Sequence, residues 1–465
     1  MSDTAGPGSQ ITVGIDIGTT SVKAVAADQD GTVLARARVP HPVQSSPPGT
    51  FEHDIDQAWR ADVLEAFGRV ASGRTVDAVN VSAMVPSLGP VGRDGTAAGP
   101  GLLYGDRRGE REGHDVSQVG DSGELLAFLG WLSSAAPDAA GYWPAQAVAN
   151  HALCGRGAID STTAMTAYPL FDFVGWDAEL AAAAGTTPDK LPAIVSGVES
   201  VGELSADLPG AGAALGGGTI DAFAEQLVAG ADNAGDVLVV CGTTLITWGV
   251  VDEWAEVPGL WSVPHSAPGK TMLGGPSNAG GLFLDRARRW LGDDAAAGAR
   301  NLAPGDLPVW LPYVRGERTP LHRRDLRSSL HDVALHHESA HLLRAAFEAA
   351  GFVVRHHIDL ARAGGLSPRR IVATGGGIQV EAWMRALADC TGLPVDVVAV
   401  PEGAALGSAF IARCVAGHEV SMTDGSRWAR TARTIEPDKK WVAASSARYE
   451  RFRELTDEAC AYNLA

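Results

Sequence analysis

The chain has 465 residues, of which 45% are hydrophobic and 20% are charged. This length is too great for one hydrophobic core and the composition is globular, so we expect two large domains. The formal net charge of −18 disfavours non-specific binding to nucleic acid or to an anionic membrane surface. No apolar run approaches the roughly 18 residues of a membrane span, and the sequence start has no signal-peptide pattern. We therefore expect a cytoplasmic protein without a membrane or nucleic-acid partner.

The chain is predicted to open with three antiparallel strands. Residues 1–10 have the character of a disordered tail, and apolar side chains then alternate over residues 11–17, as in a strand. A turn at Gly18–Thr20 leads into a second strand over residues 22–26, and a hairpin signal leads into a third strand over residues 33–39. The first turn is therefore a Gly-Thr-Thr sequence that directly follows an apolar strand.

The same strand–turn–strand pattern recurs in the second half of the chain. Residues 236–241 predict a strand, Gly242–Thr244 repeats the turn, and residues 245–250 predict the next strand. When the two turns are superposed, the flanking strands align without a gap, which indicates an internal duplication with a boundary near Gly230. The predicted segments are a tail at 1–10, a first domain at 11–230, a second domain at 231–425 and a C-terminal segment at 426–465 whose helix packs on the body.

Strands and helices alternate in the second half, which is typical of an α/β fold. Ser339 is a candidate N-cap of a long helix. A strand over residues 371–373 runs into a glycine triplet at residues 375–377. A later strand over residues 395–400 is followed by a helix of small residues that begins near Glu402. We therefore predict an α/β fold.

The two Gly-Thr-Thr turns are candidate phosphate-binding sites. Successive backbone N–H groups at a tight turn form a concavity for phosphate oxygens, and threonine hydroxyls add donors. Asp16, before the first turn, is a candidate Mg²⁺ ligand because hard cations take carboxylate oxygen. Lys23 lies beyond that turn on the second strand, from where we expect it to reach a transferring phosphoryl group. The alternative is two ordinary hairpin turns and a solvated acid, but the recurrence in equivalent places favours function.

Two further segments are candidates for chemistry. Asp221 follows a glycine-rich approach to a predicted helix, where a carboxylate can accept the proton of an attacking hydroxyl. The alternative is that Asp221 caps the helix, and the two roles are compatible. The triplet Gly375–Gly377 lies between a strand and a helix, where bare backbone admits an adenosine or serves only close packing.

Two other motifs are weak. Residues 337–341 match the zincin pattern H-E-x-x-H, but a cap at Ser339 leaves His337 outside the helix, which disfavours a zinc hydrolase. Residues 269–271 resemble the end of a P-loop, but Pro264 stands where the first glycine is required. A hairpin turn is the better interpretation of that segment.

These residues together resemble the FGGY carbohydrate kinases, of the sugar kinase/Hsp70/actin superfamily. The resemblance covers roughly residues 12–418, and its motifs stand in the family's order. The matching segments are 14–23, 103–108, 241–244, 311–320, 374–377 and 402–407, together with Asp221. The stretch 311–320 is the most distinctive, and Tyr104 stands where the family usually has Trp.

The resemblance implies two actin-like (RNase H-like) domains with a catalytic cleft between them, ATP and Mg²⁺ as cofactors, and Asp221 as the base that activates a sugar hydroxyl. Asp16 is the implied Mg²⁺ residue. The implied phosphate-binding residues are Gly18, Thr19, Thr20, Lys23, Gly242, Thr243 and Thr244. The implied nucleotide-binding residues are Gly316, Gly375, Gly376, Gly377 and Gln379, and the implied substrate-binding residues are Met84, Ser87, Asp106 and Arg108.

The resemblance is less specific for the substrate. Xylulose kinases carry a Gln-Met-His-Gly segment and glycerol kinases a Gln-Arg-Glu segment, and residues 82–90 of this chain contain neither. We expect a ketopentose such as D-xylulose, with ribulose, a tetrulose or a glycerol-like polyol as alternatives. An actin- or Hsp70-like ATPase is the alternative outside the class, and a homodimer is left open.

Overall fold

The computed structural model describes residues 10–109, 123–292, 295 and 302–462. The chain divides into two compact units, which we call the first unit (residues up to 228 together with 402–428) and the second unit (229–401 together with residues from 429 onward). The tail predicted at 1–10 lies, except for Gln10, outside the described residues. None of the described helices is long and apolar enough to cross a membrane.

Strands and helices alternate along the described chain. The strands are β1 Thr12–Ile17, β2 Ser21–Ala27, β3 Val33–Pro40, β4 Glu52–His53, β5 Ala78–Ala83, β6 Ser87–Val91, β7 Gly101–Leu103, β8 Gly141–Trp143, β9 Ala158–Asp160, β10 Ala193–Val195, β11 Ser200–Glu203, β12 Ala214–Gly216, β13 Thr219–Ile220, β14 Asp236–Cys241, β15 Leu245–Val251, β16 Trp261–Pro264, β17 Thr271–Ser277, β18 Val309–Leu311, β19 Ser329–His331, β20 Arg370–Thr374, β21 Val395–Val398 and β22 Thr431–Ile435.

The helices follow the same chain order. They are α1 Asp62–Ala71, α2 Gly123–Ala135, α3 Ala145–Cys154, α4 Ser161–Met165, α5 Ala178–Ala183, α6 Asp221–Ala229, α7 Gly281–Leu291, α8 Ser339–Ala361, α9 Glu381–Thr391, α10 Gly403–Val415 and α11 Lys439–Tyr462. A π-helical turn, Asp56–Ala61, precedes α1, and short 3₁₀ turns occur at Pro188–Lys190, Arg362–Gly364, Gly376–Gln379 and Met422–Trp428. This mixture confirms the predicted α/β class.

The first unit is built on a mixed sheet in the order β11-β12-β5-β1-β2-β3, and β13 also pairs with β5. The strands β1, β2 and β3 are antiparallel neighbours, as the sequence predicts, whereas β5 runs parallel to β1. Every residue of β1 and β5 is buried, because helices α1, α3 and α10 pack against these strands. Val13, Ile15, Ile17, Val79 and Val81 belong to one hydrophobic core, whereas the alternate positions carry small or polar residues, among them Asp16, Asn80 and Ser82.

The second unit repeats this arrangement in a sheet of order β16-β17-β15-β14-β20-β21-β22. Its first strand, β14, is antiparallel to β15 and parallel to β20, as β1 is to β2 and β5. The repeated topology supports the predicted duplication, but the gapless alignment of the two turns was wrong by one residue. Ile17 pairs with Val22 across the first turn, whereas Cys241 pairs with Leu245 across the second. The second turn is therefore one residue tighter.

Helix α10 lies in the first unit, although the sequence interpretation gave it to the second domain at 231–425. The helix packs on β1 so closely that a Cβ added at Gly14 would lie 1.8 Å from the carbonyl oxygen of Ala405 and 2.3 Å from the backbone nitrogen of Ala409. Such an approach requires glycine on the strand and small residues on the helix. This contact spans almost four hundred residues of sequence, which is why local patterns did not reveal it.

Two helices of the second unit refine the sequence interpretation. Helix α8 begins at Ser339, but its N-cap is Glu338 and not Ser339; the Glu338 side chain and the His341 ring form a reciprocal capping box. In α11, Tyr449, Phe452 and Leu455 are buried in the core of the second unit. The C-terminal helix therefore contributes to that core.

We predict that Gly14→Ala lowers the stability of the first unit by about 3 kcal/mol or prevents folding, since neither backbone atom facing the new methyl group can move freely. Gly68→Ala is the matched control, because Gly68 lies in helix α1 with no heavy atom within 4 Å of an added Cβ. That control is expected to gain about 1 kcal/mol of helix propensity. Thermal and denaturant unfolding measure both, and equal stability of the two variants would contradict the close packing.

Candidate active site

The carboxyl ends of three parallel strands in the first unit bring Asp16, Ser82 and Asp221 to one edge of the sheet. Asp16 on β1 pairs in register with Ser82 on β5, and Thr219 on β13 pairs with the same Ser82. Strand β13 ends at Ile220, so Asp221 starts helix α6 directly at this edge. In α/β sheets, ligands bind outside the carboxyl ends of the strands.

Asp16 is buried next to a lysine and a hydroxyl. Lys23 Nζ lies 3.5 Å from Asp16 Oδ2, and Ser82 Oγ lies 3.4 Å from Asp16 Oδ1. Burial raises the pKa of the Asp16 carboxyl, although Lys23 and Ser82 act in the opposite direction. Burial alone would lower the pKa of Lys23, but attraction to the carboxylates of Asp16 and Glu225 leaves it above its ordinary value.

The carboxylates of Asp16 and Glu225 are suitable protein ligands for a magnesium ion. The raised pKa of Asp16 means that Lys23 and Ser82 do not fully compensate the buried carboxylate, and Glu225 supplies a second carboxylate that acts on the same lysine. Mg²⁺ is typically bound by one or two carboxylates together with substrate phosphates and water. The sequence interpretation missed Glu225, which is four residues after Asp221 on α6 and therefore on the same helix face.

The first Gly-Thr-Thr turn is closed by a hydrogen bond from the Gly18 N–H to the Ser21 carbonyl, at 3.1 Å. Thr19 is buried, and its hydroxyl lies 2.8 Å from the Tyr104 hydroxyl. The Thr19 hydroxyl is therefore engaged within the protein, which leaves the backbone N–H groups and the half-buried Thr20 for a phosphate. Tyr104 thus connects the segment that contains the predicted substrate residues Asp106 and Arg108 to the turn predicted to bind phosphate.

Three buried carboxamides hold the glycine-rich approach to Asp221. Asn80 Oδ1 accepts the Gly218 N–H at 3.0 Å, and Asn150 Nδ2 donates to the Gly217 carbonyl at 3.0 Å. Gln146 Nε2 donates to the carbonyls of Thr219 and Ala83 at 3.0 and 3.3 Å, which ties the end of β13 to the end of β5.

The glycines let these carboxamides come close. A Cβ at Gly216 would lie 2.4 Å from Asn80 Oδ1, and Gly218 has a φ of +98°. The sequence interpretation expected a group to approach this backbone but did not identify it. The available signal was an asparagine inside the apolar strand β5 and two amide residues, Gln146 and Asn150, four apart on α3.

Asp221 itself is the first residue of α6 and is half-buried. Its Oδ1 accepts the N–H of Ala222 at 2.7 Å. The side chain therefore binds an N–H group in the first turn of the helix, although an N-cap residue accepts the N–H two or three residues further on. The positive end of the helix dipole favours the charged carboxylate. A charged carboxylate is also what a general base needs, so the two roles are compatible in this geometry.

The predicted substrate residues have partners within the first unit. Met84 is buried, and the buried Ser87 hydroxyl accepts the Ala145 N–H at 3.2 Å, at the start of α3. Asp106 accepts the N–H of Phe51 at 2.7 Å. These contacts give Ser87 and Asp106 a structural function, and their predicted binding of substrate stays a prediction.

Arg108 connects two acidic side chains beside this segment. Its guanidinium donates to Asp106 at 2.6 Å, also contacts Glu52, and lies 4.7 Å from the centre of the Trp131 ring. About a quarter of the Arg108 side chain is exposed. Of the four predicted substrate residues, Arg108 is the one that combines a charge with exposure.

In the second unit, the second turn and the glycine triplet follow two strands that end at the same edge of the sheet. Val240 on β14 pairs in parallel register with Thr374 on β20, so Gly242–Thr244 and Gly375–Gly377 follow neighbouring strand ends. Gly375 has a φ of +86°, and a Cβ at Gly377 would lie 2.2 Å from the Trp383 ring. These two glycines serve backbone conformation and packing.

Gly376 and Gln379 are the open positions of this triplet and its 3₁₀ turn. Gly376 is exposed and has no heavy atom within 4 Å of an added Cβ. Gln379 ends the 3₁₀ turn and is also exposed. Gly376 and Gln379 are therefore the two positions of this segment that are accessible to a ligand from solvent.

The distinctive stretch 311–320 makes hydrogen bonds to the end of β17 through Glu317. Gly316 has a φ of +73°, and a Cβ there would lie 2.4 Å from the Arg324 carbonyl oxygen. The buried Glu317 carboxyl accepts from the Ser277 hydroxyl at 2.7 Å and from the Asn278 N–H at 2.9 Å. Burial raises the pKa of Glu317 to about 7. Glu317 was not among the predicted site residues.

The zinc alternative conflicts with the hydrogen bonds of its two histidines. His337 Nδ1 accepts the Ala334 N–H at 2.9 Å, and His341 Nδ1 accepts the Glu338 N–H at 3.1 Å. A neutral imidazole that accepts at Nδ1 carries its hydrogen on Nε2, so neither Nε2 has a lone pair for zinc. His337 also lies outside helix α8, as predicted.

Comparison with known proteins decides the family. Residues 11–136 match the N-terminal domain, and residues 237–416 the C-terminal domain, of the FGGY family of carbohydrate kinases. The chain belongs to this family. It is 26% identical to the xylulose kinase of Escherichia coli (strain K12) over 95% of this chain and 98% of that protein. It is 23% identical to the gluconokinase of Bacillus subtilis (strain 168) over 86% of each chain.

A solved structure gives the same result for this FGGY kinase. The xylulose kinase from Rhodospirillum rubrum is similar with a TM-score of 0.77 and 26% identity, over 97% of this chain and 99% of that one. The comparisons confirm the actin-like fold and a carbohydrate kinase activity, which decides against the actin- or Hsp70-like ATPase. Kinases of this family use ATP, so ATP is the expected phosphoryl donor.

We predict that Gln146→Met, which removes the amide but keeps the side-chain length, leaves two buried carbonyls without their donor. Each such loss costs about 1–3 kcal/mol, and the displaced end of β13 should lower kcat by about tenfold or more through Asp221. Gln29→Met is the control, because Gln29 is exposed. Denaturant unfolding and steady-state kinetics measure both effects. An unchanged kcat would show that Gln146 does not position Asp221.

Proposed function

We propose that this FGGY kinase transfers the γ-phosphoryl group of ATP to a hydroxyl of a small sugar, most simply a ketopentose such as D-xylulose. The proposal is supported by the sheet edge that Asp16 and Asp221 share, because the first Gly-Thr-Thr turn follows β1 and the candidate base begins α6 at that edge. The similarity to xylulose kinases supports the ketopentose. The similarity to a gluconokinase makes gluconate the first competitor to test.

In the proposed reaction, the Asp221 carboxylate accepts the proton of the sugar hydroxyl as that oxygen attacks the γ-phosphorus. The bond between the γ-phosphorus and the bridging oxygen to the β-phosphate breaks, and ADP leaves with the electron pair. Catalysis of this kind is mainly positioning and charge stabilisation. The three carboxamides that hold the approach to Asp221 keep the base in place.

The charge on the transferring group is met by donors of the first unit. We assign this to the backbone N–H groups of Thr19 and Thr20, since the Gly18 N–H already donates to the Ser21 carbonyl, and to Lys23, whose pKa is raised so that it stays protonated. Asp16, together with Glu225, whose carboxylate acts on the same lysine, would hold Mg²⁺, and the ion would supply neutralisation of phosphate charge. The Gly242–Thr244 turn, Gly376 and Gln379 of the second unit are the proposed further contacts of the nucleotide.

The function is tested by coupled ADP release against D-xylulose, L-xylulose, ribulose, a tetrulose, glycerol and gluconate. We expect one sugar to give strong turnover and Asp221→Asn to reduce it at least a thousandfold while nucleotide binding is retained, because the base is lost without a change of shape. Asp177→Asn is the matched control, since Asp177 caps α5 by accepting the Leu180 N–H at 2.8 Å. ADP release that is independent of every sugar, or near-normal turnover of Asp221→Asn, would contradict the proposal.

We further predict that Asp16→Ala reduces turnover at least a hundredfold and raises the Mg²⁺ concentration needed for half-maximal rate, because the ion loses its carboxylate. Titration of Mg²⁺ at saturating sugar measures this. Glu419→Ala serves as the control, since Glu419 is an acid of the first unit that pairs with Arg413. A variant with reduced turnover but an unchanged Mg²⁺ dependence would show that Asp16 does not bind the ion.

A further inference from the structure

The carbonyl oxygens of Gly18, Thr19 and Thr20 in the first turn all have partners within the first unit. His41 Nε2 lies 3.0 Å from the Gly18 carbonyl, and His53 Nε2 lies 2.8 Å from the Thr19 carbonyl. The backbone N–H of His41 donates to the Thr20 carbonyl at 3.0 Å. Both histidines are buried. Two side chains from outside the hairpin therefore fix successive peptide groups of the turn.

Fixing these carbonyls also fixes the direction of the N–H groups. In a trans peptide the C=O and the following N–H point to opposite sides of the chain. The Thr19 N–H consequently points away from the His41 ring, and the Thr20 N–H points away from the His53 ring. Successive N–H groups held in this way form an anion-binding concavity, so the anchoring of the carbonyls orients the donors proposed to bind phosphate.

The second turn has the same anchoring with different donors. The Gly281 N–H donates to the Gly242 carbonyl at 2.8 Å, and the Leu282 N–H donates to the Thr243 carbonyl at 3.1 Å. These N–H groups belong to the first turn of α7, where helical N–H groups have no partner within the helix. The duplicated units therefore hold the same two carbonyls, through backbone in one case and through imidazole rings in the other.

The two imidazoles have different protonation states. Trp59 Nε1 donates to His53 Nδ1 at 3.0 Å, so only Nε2 of His53 carries a hydrogen and the ring is neutral. Burial lowers the pKa of His53 to about 4. His41 has acceptors on both sides, because its Nδ1 lies 3.0 Å from Asp62 Oδ2 and its Nε2 faces the Gly18 carbonyl.

A ring with acceptors at both nitrogens carries hydrogens on both, so His41 is a cation balanced by Asp62. Asp62 is fully buried and also accepts from the Gln57 amide. The rings of His41 and His53 are 4.6 Å apart, edge to face. A positive charge next to His53 further favours its neutral form. The first turn thus has one charged and one neutral ring behind it.

We propose that His41 and His53 are positioning residues for phosphoryl transfer, which orient the N–H groups of the first turn and, through His41, place a positive charge behind the bound phosphate. The inference rests on the proposed function of that turn. Neither residue touches the substrate; both act through the backbone of Gly18 and Thr19.

The test compares the affinity for a non-hydrolysable ATP analogue, together with kcat and KM for ATP, in matched variants. His53→Leu removes the donor to Thr19 and should weaken analogue binding about tenfold. His53→Gln, whose amide nitrogen takes the place of Nε2, should restore binding to within about threefold of the wild type. His418→Gln is the control, because His418 pairs with Asp77 at 2.9 Å near the start of β5, about 20 Å along the strand from the turn.

Asp62→Asn tests the charge separately from the shape. Its amide can donate to His41 Nδ1, which makes the ring neutral while the hydrogen bond to Gly18 is kept. Histidine-selective ¹⁵N spectra should show one of the 13 rings changing from doubly to singly protonated, and analogue binding should weaken severalfold. If His53→Leu does not fold, Asp62→Asn and His53→Gln carry the test.

The outcomes separate the two proposals. A wild-type protein that does not bind the analogue would overturn the proposed function. A wild-type protein that binds it, with Asp62→Asn and His53→Leu binding equally well, would overturn only the positioning role. A His41 ring that is singly protonated in the wild type would overturn the charged state.

Discussion

The pairing of β1 with β5 and β2 is the constraint on which the site depends. The parallel register with β5 sets Asp16 against Ser82, and the antiparallel register with β2 sets Asp16 against Lys23. Strand β13 joins the other side of β5 and delivers Asp221 to the same edge. A slip of one residue in either register would turn Asp16 to the opposite face of the sheet. The close packing of α10 on Gly14 holds β1 in this position.

The backbone around the site is held by groups that satisfy buried polar atoms. Buried carbonyl and N–H groups need partners, and the chain provides carboxamides for the approach to Asp221 and imidazoles for the first turn. In the second unit, helix α7 supplies the equivalent donors from its own backbone. In both units, the carbonyls of the first two turn residues are therefore bound, by imidazoles in the first unit and by backbone N–H groups in the second. Single substitutions can remove the imidazole donors but not the backbone donors.

The sequence was sufficient for features that local patterns determine. Alternating apolar residues predicted β1 and β14, the repeated turn predicted the duplication, and the ordered motifs predicted the family. It did not reveal contacts between distant segments, such as helix α10 in the first unit, or Glu225, Gln146 and the two histidines around the site. The one-residue difference between the turns was also missed, because strand pairing is set by hydrogen bonds that composition does not record.

The most direct measurement is a crystal structure with a non-hydrolysable ATP analogue, Mg²⁺ and the sugar that gives turnover. The account predicts terminal phosphate oxygens within hydrogen-bonding distance of the Thr19 and Thr20 N–H groups, and a sugar hydroxyl about 2.6–3.2 Å from an Asp221 carboxylate oxygen. A terminal phosphate bound away from this turn, or a sugar with no hydroxyl near Asp221, would contradict it.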